Sequence, residues 1–117
     1  MISWEAARRL ALSLPHAEER EHAGSPSFRV AGKIFAQLSQ ADKRPRRALV
    51  KLSAADQAAW LMTDPETFQA EPSWGRHGWT YVQLDRVEAG LLLDLLAQSW
   101  RAVAPKELRS SGPPGCA

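Results

Sequence analysis

Apolar positions first recur at helical spacing near the amino end, where Trp4, Ala7, Ala11 and Leu14 alternate with polar residues that include Arg8 and Arg9. Three- and four-residue steps of this kind draw one apolar stripe along a helix. Ser3 offers an N-cap oxygen, Glu5 sits in the first turn where the helix dipole favours negative charge, and Pro15 ends the run. Together they predict a helix from about Ser3 to Ser13. The period then changes. Ala17 to His22 is polar and reads as an edge strand, whose charges discourage pairing with other chains. Phe28 and Val30 alternate with polar neighbours up to Ala31-Gly32, and Lys33 to Leu38 returns, which predicts a hairpin. Strict alternation puts Ile34, Ala36 and Leu38 on one face and Phe35 on the other, so both faces are expected to be covered there.

Ser39 to Pro45 is a polar loop, and Arg47 to Leu52 is a further strand in which Leu49 alternates with Val50. Ser53 and Asp56 have capping-box spacing and open a short helix to about Met62, which Asp64-Pro65 breaks. A short turn is expected to carry Phe68 onto the core. Pro72 to Gly78 reads as a loop and Trp79 to Leu84 as a strand, with Trp79 in the core. Asp85 and Glu88 read as a second capping box. Leu92, Leu95, Leu96, Trp100 and Val103 then form the longest helical stripe, which stops before Pro105. That stripe is too short for a coiled coil and reads as core-facing. Lys106 to Arg109 adds one turn, and the Gly- and Pro-containing stretch Ser110 to Ala117 reads as a disordered tail. The expected fold class is α+β: one domain over residues 1–109, an antiparallel sheet packed against N- and C-terminal helices, with a short helix inserted between strands.

Composition narrows the chemistry. At 117 residues, 44% hydrophobic and 24% charged, the chain suits one soluble domain that buries a core without disulfides or a structural metal. Its longest apolar run, Ala58 to Met62, is too short for a bilayer, and no secretory signal is visible, so no membrane is expected and the cytoplasm is the default compartment. Cys116 stands alone, which rules out an internal disulfide. His16 and His22 do not have the spacing of a helical ligand pair and no Cys-x-x-Cys is present, so neither metal nor cofactor is expected. Glu18, Glu19 and Glu21 beside Arg20 read as a solvated edge. The nucleophile-elbow, phosphate-loop and zinc-protease motifs are all missing, so no catalytic residue is assigned and an enzyme is not expected.

Charge is uneven although the net value is only +2. Lys43, Arg44, Arg46, Arg47 and Lys51 cluster around the loop after the hairpin, with Asp42 the one nearby opponent. Cations on a projecting loop reach backbone phosphates and release counterions, which gives affinity without sequence preference. Trp74-Gly75-Arg76-His77-Gly78-Trp79 forms a second projection, where Arg76 and His77 suit phosphate and an exposed Trp74 suits stacking on a base.

Three stretches carry a family likeness: Ser25 to Ala36 with its Pro-x-Phe hairpin and Gly-Lys-x-Phe; Trp74 to Trp79; and Ser99 to Lys106, ending in Ala-Pro-Lys. In this order the chain resembles the MmcQ/YjbR family from about Trp4 to Arg109. The resemblance implies a frataxin/CyaY-like fold and binding of double-stranded DNA through paired wing-like loops; it offers no catalytic residues. The resulting expectation is backbone contact through Lys43, Arg44, Arg46, Arg47, Lys51, Trp74, Arg76 and His77, with little base readout. The alternative is a protein-interaction or small-ligand module on the same fold, its acidic and basic faces serving a partner. The oligomeric state is left open.

Overall fold

The computed structural model describes residues 1–110. The first helix, α1 (Trp4–Leu12), begins as its sequence predicts: the Ser3 hydroxyl accepts the Ala6 N–H at 3.1 Å. Strands β1 (Glu18–His22), β2 (Ser25–Val30), β3 (Lys33–Leu38) and β4 (Arg47–Lys51) follow, then helix α2 (Ala54–Thr63), β5 (Phe68–Ala70) and β6 (Trp79–Gln83). Helices α3 (Ala89–Val103) and α4 (Lys106–Arg109) complete the described residues. The tail expected beyond Ser110, with Cys116, lies outside them. No helix among the described residues is long and apolar enough to cross a membrane.

All six strands pair antiparallel, in the order β1-β2-β3-β4-β6-β5. Two-residue turns at Ala23-Gly24 and Ala31-Gly32, with φ positive at each central residue, join the first three strands into a meander. Phe28, Val30, Leu38, Val50 and Val82 point to one face, where α1 and α3 cover them. The stripe on α3 faces the sheet as its spacing implies, with Leu92, Leu95, Leu96 and Trp100 buried and Val103 at the margin. Each such side chain contributes roughly 1.5–3 kcal/mol on burial. Trp100 Nε1 donates to the Pro15 carbonyl at 2.9 Å, tying α3 to the end of α1.

Three sequence expectations change. The register of β2 against β3 slips between Phe28 and Arg29, so Ile34 and Phe35 together oppose one residue. This bulge breaks the alternation: Phe35, Ala36 and Leu38 are all buried, while Ile34 emerges half-buried on the other face. The extra residue needs partners, and α3 supplies them. Buried Ser99 donates its hydroxyl to the Phe35 carbonyl and accepts the Lys51 N–H at 2.8 Å, bridging β3 and β4 where their own ladder has stopped. Second, Phe68 reaches the core on a short edge strand, β5, rather than on a turn. Third, Asp85 and Glu88 form no capping box. Glu88 is the N-cap of α3 without a side-chain bond, because the chain first turns through Arg86 and Val87, both donating to the Gln83 carbonyl. The other box is half realised, with Ser53 Oγ accepting the Asp56 N–H at 3.1 Å.

Candidate nucleic-acid interface

Because α1 and α3 occupy one face of the sheet, the alternate residues of each strand line the other. One row runs straight across it: Gln37 opposes Leu49, Leu49 opposes Tyr81, and Tyr81 opposes Gln69. All four are half-buried. Toward one end stand Arg47 and Gln83, and toward the other Lys51 and Trp79. Arg20 and Arg29 lie on the same face of β1 and β2 by alternation, with Glu18 as the carboxylate among them. Arg20 and Glu18 pair at 3.4 Å, which leaves the face positive through Arg29 and Arg47.

The Arg47 guanidinium lies over the Tyr81 ring, 3.8 Å from its centroid, a cation–π contact that holds the charge flat on the sheet. Its backbone is fixed as well. Ser39 Oγ accepts the Arg47 N–H at 3.0 Å, and the Ser39 N–H donates to the Arg47 carbonyl at 2.9 Å. Trp4 Nε1 donates to the Ser39 carbonyl at 2.7 Å, so the start of the basic loop is anchored to α1. Arg46 braces that loop through Nε to the Ala41 carbonyl at 3.0 Å, while Lys43 and Arg44 are exposed. Lys43, Arg47, Gln37 and Tyr81 line a depression of about 260 Å³.

The Trp74 turn is built more tightly than its sequence suggests. The Glu71 carboxylate accepts the N–H groups of Ser73 at 3.2 Å and Trp74 at 2.7 Å, and the Gly75 N–H donates to the Glu71 carbonyl at 2.7 Å. Gln57 Nε2, on α2, donates to the Gly75 carbonyl and to Thr80 Oγ1, each at 3.0 Å. Gly75 to His77 form one 3₁₀ turn. Trp74 itself is 58% exposed, with the His77 ring 6.2 Å away and tilted. Trp74, Trp79, Ile34, Leu49, Gln37 and His22 line a second depression of about 220 Å³. Gln37 and Leu49 belong to both depressions, so the two adjoin across the centre of the face.

The expected residues are therefore only partly brought together. Lys43, Arg47 and Trp74 border the open face; Arg44, Arg76 and His77 are exposed on its flanking loops. Lys51 does not extend the basic loop. It ends β4, four residue steps or about 13 Å from Arg47, in a depression shared with Ser53, Gln98 and Arg101. The same register corrects the paired-loop arrangement. Since β4 and β6 run antiparallel, with Arg47 opposite Gln83 and Lys51 opposite Trp79, the two loops flank the face from opposite ends. Trp79 is not in the core, because Thr80 and Val82 take the inward positions of β6.

The sequence reading assigns none of Tyr81, Trp79, Gln37, Leu49 and Ile34 to a binding face. The signal was present in the paired phases of two strands: Ala48 and Val50, Thr80 and Val82 are small or β-branched, while Arg47, Leu49, Trp79 and Tyr81 alternate with them. The acidic run is divided by the same alternation, with Glu18 on the open face and Glu19 on the helix side, where it meets Arg8 at 2.7 Å. Glu19, Glu21 and Asp42 border a further depression, about 820 Å³, together with Trp4 and Arg8. Among the described residues no group of three or more acidic, histidine or cysteine side chains is arranged to hold a metal ion.

Comparison with known proteins gives a family and a fold. The YjbR family model matches residues 12–102. No curated protein matches the chain significantly. Among solved structures, the chain is similar to Deinococcus radiodurans protein DR2400, described with the family-model domain DUF419. The TM-score is 0.83 at 21% identity, covering 100% of this chain and 96% of that one.

Proposed function

This chain belongs to the YjbR family, and from that premise we propose that it binds DNA by the sugar-phosphate backbone, in a binding rather than a catalytic role. The supporting observation is the charge on the open face. Arg20, Arg29 and Arg47 stand there against Glu18, with Lys43 and Arg44 at one end and Arg76 and His77 on the turn at the other. Phosphates laid along this face meet cations at both ends. Such contact releases counterions and carries little sequence information.

Titration of a labelled duplex at several salt concentrations tests the proposal. With about four phosphates neutralised, the logarithm of affinity falls with that of salt at a slope near −3.6. The double variant Lys43→Glu with Arg44→Glu weakens binding and flattens the slope. No affinity at low salt for either the duplex or its single strand, or affinity indifferent to that charge reversal, overturns the proposal.

A protein or small-ligand partner is the second reading, favoured by the mixed-charge depression between α1 and the β1–β2 hairpin. It requires a stoichiometric partner in the purified sample whose retention depends on Glu21 and Asp42.

A further inference from the structure

Resting on the backbone-binding reading, we propose that the form of DNA engaged is single-stranded, with one unpaired base seated between Trp74 and Trp79.

Four observations converge on that depression. Its walls are two indoles with Ile34 and Leu49, which suit the flat apolar faces of a base. Its polar members, Gln37 and His22, make no side-chain hydrogen bond among the described residues, so their donors and acceptors are free for the edge of a planar ligand. Trp74 is the most exposed of the depression's large apolar side chains, yet its backbone is held by Glu71, and the turn that carries it by Gln57. A large ring presented on a rigid turn loses little freedom when it stacks. Finally, the depression adjoins the one lined by Lys43 and Arg47 through Gln37 and Leu49, which places cations for the phosphates of the neighbouring nucleotides.

A duplex does not offer this contact, because its bases already stack on one another inside the helix. A single strand does, and base–aromatic stacking has the size to decide between them. One stacked base contributes about 1–3 kcal/mol, or roughly five- to 150-fold in affinity. The charge of the open face excludes an acid-free apolar partner as the natural occupant, since Arg29 and Arg47 flank the row and are best matched by a polyanion.

The experiment measures the full chain against a labelled single strand of about twelve nucleotides and against the duplex of the same sequence, at low salt. The single strand is expected to bind at least about tenfold more tightly. Trp74→Ala is expected to remove about tenfold from single-strand affinity, while Trp74→Phe retains most of it. Thermal melting of both variants checks that the fold is intact, which the exposure of Trp74 favours. Lys43→Glu with Arg44→Glu weakens both forms. Equal affinity for the two forms, or single-strand binding unchanged in Trp74→Ala, overturns the base-seating proposal while leaving backbone binding in place. No binding of either form overturns both.

Discussion

Gly78 has φ at +96°, and a Cβ built on it would lie 2.1 Å from the Leu52 carbonyl oxygen. The Leu52 N–H donates to the Gly78 carbonyl at 2.9 Å, so neither strand end can retreat. Strain and clash add, and Gly78→Ala is expected to cost at least about 2 kcal/mol in urea denaturation. Gly75 is tight for a different reason, its Cβ position lying 2.8 Å from that of Ala70. The sequence displayed Trp-Gly-Arg-His-Gly-Trp as a tight turn, but the reason for the second glycine is Leu52, far away in the chain. Local reading has no access to that partner. The side-chain roles of Glu71 and Gln57 were hidden for the same reason, and so was the rigidity with which Trp74 is displayed.

Elements with a long period were legible, and short or irregular ones were not. The spacing of α1 and α3 reproduces their buried faces, because a helix repeats its signal over several turns. β5 has three residues, too few for alternation to speak, and the bulge at Phe35 inverts the phase of β3 halfway along. Ser99 is the counterpart of that bulge, and it reads in sequence as an ordinary small residue on a helix. Ser99→Ala strands the Phe35 carbonyl and the Lys51 N–H in the interior. It is expected to lower stability by about 1–3 kcal/mol with the denaturant m-value unchanged. α2 is the opposite case. It buries no residue fully and holds to the sheet by Trp60 stacked on Phe68, ring centroids 4.7 Å apart, and by the Gln57 amide on Thr80. Its amides are expected to exchange with deuterium at least about tenfold faster than those in the middle of α3. Equal protection would mean that α2 unfolds only with the whole domain.

At the scale of the molecule, the sheet separates two kinds of surface. One face is closed by α1 and α3 around Phe28, Phe35 and Trp100; the other keeps aromatic, amide and guanidinium groups half-exposed in register across the strands. The fold class followed from the order of helical and alternating segments, and the basic loop from a run of cations. The common face did not follow, because it depends on strand order, and β6 lies between β4 and β5. Without that order, Arg47 and Tyr81 are merely two residues far apart in the chain. Amide and indole chemical-shift mapping with a single-stranded oligonucleotide at low salt tests the central claim most directly. The account predicts shifts at Gln37, Arg47, Leu49 and Tyr81 and at the Trp74 and Trp79 indoles, with α1 and α3 unmoved. Shifts confined to α1, α3 or the depression beside Glu19, or no shifts at all, would contradict it.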